Sequence, residues 1–251
     1  MSHGEKTFHT ASALKRVRNE LRFIRAEMEA FAEFERRVRD VPVSPNPSPQ
    51  GQAGRVQTVQ LRSTPRTAHR LAQAYQSTVM STPHYESEYG DSYDESVRVE
   101  FDETTVQVLT GDLPYTSLAK KRVLRACAHS RKTRSTFFER VDGERDELVQ
   151  SLSGLERWLD TIERVAERAQ SRDGEGVVGA HDDLSRIRTK CDKLASARQE
   201  SLRRDRQAPL TVDGSTRLTQ FLYRSEPFSN PILSDIGYVG TRLEEARERL
   251  L

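Results

Sequence analysis

Apolar residues recur along the chain at Val141, Leu148, Leu152, Leu155, Leu159, Ile162, Ala166 and Ala169. After the first step the intervals alternate by four and three. That spacing puts one narrow apolar stripe on a helix and is the pattern of a coiled-coil seam. The stretch that carries it, from about 114 to 170, would be on the order of 80 Å long as one unbroken helix. Upstream the seam weakens through Ala119, Val123, Ala126, Ser130, Thr133 and Phe137. The step from Phe137 to Val141 repeats an interval of four, which marks a stutter or a break. Asp142-Gly143 is the expected kink, because glycine costs about 1 kcal/mol inside a helix.

Three further segments carry the same alternation. From Ser12 to Val41, Val17, Leu21, Ile24, Met28, Phe31 and Val38 share a face, with Glu35 at the one polar position. Ser12 can cap that helix and Pro42 ends it. From Ala180 to Arg206 the face is Leu184, Ile187, Cys191, Leu194 and Leu202, with His181, Asp182 and Asp183 suited to its first turn. The last helix carries Ile232, Ile236, Val239, Leu243, Ala246 and Leu250. Shorter helices are expected over Arg66–Met80, with Leu71, Tyr75 and Val79 on one face, and over Thr216–Tyr223. The expected fold is all-α: an elongated antiparallel helical bundle or coiled coil.

Two places resist a simple reading. Val97, Val99 and Phe101 alternate, as do Val106 and Val108, which suggests a hairpin. Val97, Phe101, Thr105 and Val108 also fit one helical face. Helix is preferred and the hairpin stays open. Gly111 then breaks the chain, and Asp112 or Thr116 can cap the long helix, with Pro114 near its first turn.

Between 42 and 65 the pattern disappears. Pro42, Pro45, Pro47, Pro49, Gly51 and Gly54 interrupt a polar run that cannot build a core. Val56, Thr58 and Gln60 hint at a strand with nothing to pair with. The sequence thus divides into an amphipathic helix (1–41), a flexible Pro/Gly-rich linker (42–65) and a helical bundle (66–251). Ser171–Gly179 is expected to be a loop.

Composition narrows the class. Hydrophobic residues are 35% and charged residues 31%, which suits long solvated helices. Lys and Arg number 40 against 38 Asp and Glu, so only a local patch could attract a polyanion. No apolar run reaches the roughly 18 residues of a membrane span, and Met1–Thr10 has no apolar stretch of a secretory signal. The two cysteines, Cys127 and Cys191, suit a reduced, cytoplasmic protein.

The residues with chemistry are few. A basic block, Lys120, Lys121, Arg122, Arg125, Arg131, Lys132 and Arg134, has no acid between Asp112 and Glu139. It is a candidate polyanion contact, but internal neutralisation is favoured. The nearest acids in sequence are Glu86, Glu88, Asp91, Asp94, Glu95, Glu100, Asp102 and Glu103. Tyr75, Tyr85, Tyr89 and Tyr93, with His84 and Glu88, form an aromatic and acidic cluster for packing or recognition, and packing with paired hydroxyls is favoured. His84 and Glu88 stand four apart, with Asp91 near. That falls short of a metal site, and His84 is better placed in a capping network or on the surface. Cys127 and His129 face apart on a helix. No catalytic triad, phosphate loop, zinc motif or nucleic-acid-binding signature is present.

Several blocks carry a resemblance: Glu27 to Val41, Ala74-Tyr75, Thr78-Val79-Met80, Pro83-His84-Tyr85 and Glu88-Tyr89-Gly90, with Arg134, Phe137, Glu144 and Leu148 on the long helix. Together they resemble an uncharacterised family of haloarchaeal helical proteins with coiled-coil character. The resemblance covers most of the chain and is most specific over Tyr75–Gly90. It implies helix near Val97–Leu109 and no activity, catalytic residue or cofactor. The expected function is non-enzymatic and exerted through protein–protein contacts, with a protein partner or self-association on the heptad faces. The alternative is a nucleic-acid-associated regulator using the face at 120–134.

Overall fold

A computed structural model of the chain describes residues 8–43, 65–170, 177–207 and 217–250. Most of the expected linker, 44–64, and residues 171–176 and 208–216, where the sequence predicts loops, lie outside them. The described residues form an all-α helical bundle with no strand. The helices are α1 (His9–Asp40), α2 (Pro65–Gln76), α3 (Tyr85–Glu88), α4 (Tyr93–Glu100), α5 (Glu103–Thr110), α6 (Ser117–Gln170), α7 (Val177–Gln207), α8 (Leu218–Tyr223) and α9 (Pro231–Glu248). A 3₁₀ turn, Val79–Ser81, follows α2.

The chain forms two compact units, one of Met1–Leu21 with Arg140–Leu251 and one of Arg22–Glu139. Along α6 the boundary between them falls at the stutter between Phe137 and Val141. The helix does not stop there: α6 passes through Asp142 and Gly143 without interruption. No helix break is therefore realised at that dipeptide. Val141, Glu144 and Leu148 are all buried around it, and their packing outweighs the small glycine penalty.

In the unit of Met1–Leu21 and Arg140–Leu251, the seam is where the periodicity put it. Val141, Leu148, Leu155, Ile162 and Ala166 are buried on α6, and Leu152 and Leu159 are half-buried. From Leu152 to Ala166 they pack with Leu184, Ile187 and Cys191 of α7 and with Val239, Leu243 and Ala246 of α9. Polar contacts show that neighbours run antiparallel. Arg140 meets Asp205 while Glu144 meets Arg198, and between α7 and α9 Arg188 meets Glu244 while Ser185 meets Arg247.

The expected caps differ in two places. The first helix starts at His9, before Ser12. Its first turn holds no acid, and the carboxylate comes from α9. Asp235, fully buried, accepts from the His9 N–H at 3.1 Å and from the Thr10 N–H and Thr10 hydroxyl at 2.7 Å each. Because α7 begins at Val177, the acids at Asp182 and Asp183 lie beyond its first turn.

In the unit of Arg22–Glu139, Phe31, Phe34 and Val38 of α1 enclose Leu71 and Tyr75 of α2, Val97 and Phe101, Val108 and Leu109 of α5, and Val123 and Cys127 of α6. The segment 97–109 is helical but divided in two. Ser92 opens α4 with a capping box, its side chain accepting from the Glu95 N–H while Glu95 accepts from the Ser92 N–H. Asp102 caps α5 through the Thr105 N–H, and Gly111 closes it at φ +92°, where a side chain would be strained. Val97 and Phe101 are buried while Val99 is 84% exposed, which a strand with all three on one face would not produce. Thr116 caps α6 by accepting from the Ala119 N–H at 3.2 Å.

Candidate functional site

The basic block lies on the first third of α6, inside the unit of Arg22–Glu139. Its side chains have separate fates. Arg134 is the most enclosed. Its Nε donates to Glu27 at 2.7 Å, and its two terminal nitrogens donate to Glu100 at 2.8 and 2.9 Å. Its guanidinium also lies over the Phe31 ring, 4.3 Å from the centroid. Arg131 donates to the buried Glu35 at 2.9 Å, and Arg122 to Asp102 at 3.0 Å. Lys120 makes no ion pair with any described residue. Its Nζ donates to the Arg39 and Val41 carbonyls at 2.5 and 2.9 Å, closing the C-terminal end of α1.

Carboxylates thus neutralise three of the seven cations, Arg122, Arg131 and Arg134, and a fourth, Lys120, is engaged by backbone carbonyls. The acids differ from those nearest in sequence. Of those, only Glu100 and Asp102 pair with the block, and the others come from α1 as Glu27 and Glu35. Glu35, the one polar position on the apolar face of α1, is therefore a counter-charge, and Glu27 is another. Lys121, Arg125 and Lys132 make no ion pair with any described residue. Spaced by four and seven, they share one side of α6.

The aromatic cluster packs against the same charges. His84 is buried, not on the surface. It stacks on Phe23 at 4.3 Å between centroids, and its Nε2 stands 3.0 Å from Glu27. Tyr89 is half-exposed and donates to the same Glu27 oxygen at 2.8 Å. Burial by itself would raise the Glu27 carboxyl. The Arg134 charge and the hydrogen bonds with His84, Tyr89 and Arg134 outweigh it and hold it below the usual glutamate value. Tyr75 is buried with its hydroxyl 3.0 Å from Ser96, and Tyr93 donates to the Leu109 carbonyl at 3.1 Å. The buried Tyr85 hydroxyl is the exception to the expected pairing: it meets no partner at bonding geometry among the described residues. Glu88 is exposed and takes no part in the cluster. No group of three or more His, Cys, Asp or Glu among the described residues could hold a metal ion.

Beside the unpaired cations runs a groove of about 920 Å³ between α5 and α6, with Phe101 and Val108 in its wall and Leu113, Pro114 and Leu118 along it. Lys121, Arg125 and His129 stand on the α6 side. Leu118 is 78% exposed, a large aliphatic side chain held in solvent at the start of a long helix. The sequence gives no hint of this groove, because Leu118 sits off the seam and an exposed leucine has no periodic signature.

In the other unit a buried polar network crosses the helices. Arg198, 2% exposed, donates to Glu144 at 2.6 and 2.8 Å and to Glu147 at 2.6 Å. The Tyr223 hydroxyl donates to Glu144 at 2.6 Å and Ser201 to Glu147 at 2.5 Å. Burial opposes the charge on Arg198, and the bonds with the two glutamates outweigh it, so the guanidinium is held above the ordinary arginine range. Arg198 occupies a core position of α7, four residues after Leu194 and four before Leu202.

These features define an all-α bundle protein whose described residues include an apolar groove with a basic rim. The chain belongs to the family described as a domain of unknown function (DUF7260), which matches residues 8–247. No curated protein and no solved structure matches it. Among the described residues no helix is long and apolar enough to cross a membrane.

Proposed function

We propose that this protein is a non-enzymatic, cytoplasmic helical protein that works through protein–protein contacts, with the α5–α6 groove as its docking surface. The haloarchaeal source implied by the Tyr75–Gly90 block belongs to the same proposal. The observation that carries the reading is Leu118. An aliphatic side chain exposed beside a groove with buried apolar walls is the geometry of an anchor site for a partner. The heptad faces are less suited to the role. Their residues are largely consumed in the two cores, so coiled-coil pairing through the seams would require opening the bundle.

The second reading, nucleic-acid association, draws on the unpaired side of α6 with Lys121, Arg125 and Lys132. Three cations would give a modest, salt-sensitive attraction to phosphates. Four of the original seven are already engaged inside the protein, which favours the protein reading. The test is a photo-reactive p-benzoylphenylalanine at position 118, with one at exposed position 98 as control, irradiated in native extract. Cross-linked peptides are identified by mass spectrometry. The expected result is a defined segment of a partner polypeptide captured at 118 and not at 98. Capture of nucleic acid, of the same molecule's own peptides, or the same pattern at both positions overturns the proposal.

A further inference from the structure

We infer that the α5–α6 groove takes an amphipathic helix with an acidic stripe, presented by a partner protein. The inference rests on the docking reading above and adds the chemistry of the occupant. The groove is bounded on one side by α6 from Leu118 to His129. That length is roughly 16 Å, or about three turns, which matches a short helical segment lying along it. Its apolar residues, Phe101, Val108, Leu113 and Leu118, give a partner helix a stripe to cover. Leu118 is the one left in solvent.

The charge of the rim selects the partner. The two acids that line the groove are already used. Glu100 is held by Arg134, and Asp102 by Arg122 and by the Thr105 hydroxyl at 2.7 Å. Lys121 and Arg125 line the same groove and have no carboxylate among the described residues. Their spacing of four puts both on one side of the helix, where they meet two acids at the same spacing on a partner. A partner with lysines there would meet like charge. Duplex DNA would use the cations but would leave Leu118 and the apolar wall uncovered, so the combination fits an acidic amphipathic helix better than a phosphate backbone.

The probe is a fluorescein-labelled synthetic peptide of about 18 residues, with leucines on one helical face and glutamates flanking them. Its binding to the full chain is read by fluorescence anisotropy. Controls are a scrambled peptide of the same composition, a version with lysine for glutamate, and a labelled DNA duplex. Saturable binding of the acidic amphipathic peptide is expected, tighter than any control and weakened by salt. Leu118→Asp should weaken it by roughly tenfold, a loss on the scale of one buried aliphatic anchor and an added like charge. The double variant Lys121→Glu with Arg125→Glu should reverse the preference, binding the lysine peptide better than the acidic one. That gain of binding shows the variant is folded, and circular dichroism of each variant checks the same.

Equal binding of the scrambled peptide reduces the groove to a charge effect and overturns the inference. So do tighter binding of DNA and an unchanged preference in the reversed variant. Concentration-dependent dimerisation of the chain that Leu118→Asp abolishes makes a second copy the occupant, and also overturns it. If the acidic peptide fails while the cross-link from position 118 still maps to a partner segment, only the chemistry assigned to the partner is wrong. If that cross-link is missing, the docking surface itself is wrong.

Discussion

Removing the Arg198 guanidinium should cost far more than removing any surface arginine. Arg198→Met keeps most of the aliphatic stem and deletes the charge. Glu144, whose side chain is 5% exposed, is then left buried with only the Tyr223 hydroxyl donating to it. Glu147 is 38% exposed and can turn to water, so the penalty falls on one carboxylate. Breaking a buried pair by deleting one partner costs about 3–5 kcal/mol, mostly the uncompensated charge. At roughly 2–4 °C per kcal/mol for a chain of this size, the melting temperature should fall by about 6–20 °C. Thermal and urea unfolding followed by circular dichroism measure it. The triple variant Arg198→Met, Glu144→Met, Tyr223→Phe removes the orphaned charge and its donor, and should recover most of the loss. A single variant that melts within a degree or so of the parent would show that Glu144 reaches solvent. A triple variant as unstable as the single would show that packing rather than charge sets the cost. Either result refutes the reasoning.

The same logic ranks the basic block: Arg134→Gln, which strands Glu27 and Glu100, should destabilise by about 3 kcal/mol, while Lys121→Gln should lie within about 0.5 kcal/mol of the parent in urea unfolding. The depressed Glu27 carboxyl predicts a pH dependence. Its contribution is fully present above the ordinary glutamate value of 4.5 and is lost as pH falls through its lower folded value. Stability measured from pH 6 down to pH 3 should therefore fall less steeply in Glu27→Gln than in the parent. Burial pushes the Cys127 thiol up to about 12 and the Cys191 thiol up to about 11. At pH 8 both should resist a thiol reagent in the native protein and react promptly in urea.

Much of the fold was legible because helix-forming periodicity is a local property. The seam from Val141 to Ala166 and the faces of α7 and α9 follow directly from intervals of four and three. The segment around Val97 shows where pattern alone was ambiguous. Capping chemistry at Ser92-Glu95, Asp102 and Gly111 resolved it, and those residues were visible in the sequence as turn formers. The site was less legible, because it depends on which distant charges meet. Glu27 looks like an ordinary helix-surface acid, and Glu35 like a lone polar interruption of an apolar face, until α1 is laid antiparallel to the first part of α6. Arg198 reads as one cation among many on α7, although its register between Leu194 and Leu202 marks it as a core position. Leu118 has no signature at all, since exposure is a property of what fails to pack against a residue.

The Asp235 carboxylate on the start of α1 links two moments in the life of the chain. The donors it satisfies belong to His9 and Thr10, and the acceptor comes 225 positions after Thr10. A ribosome releases the first turn of α1 long before its cap exists. Until α9 arrives, that turn has to leave its amides to water and fray. The start of α1 is thus a reporter for the arrival of α9. Protection of the Thr10 amide from hydrogen exchange should appear only once α9 has docked, and a nascent chain stopped before Asp235 should never show it.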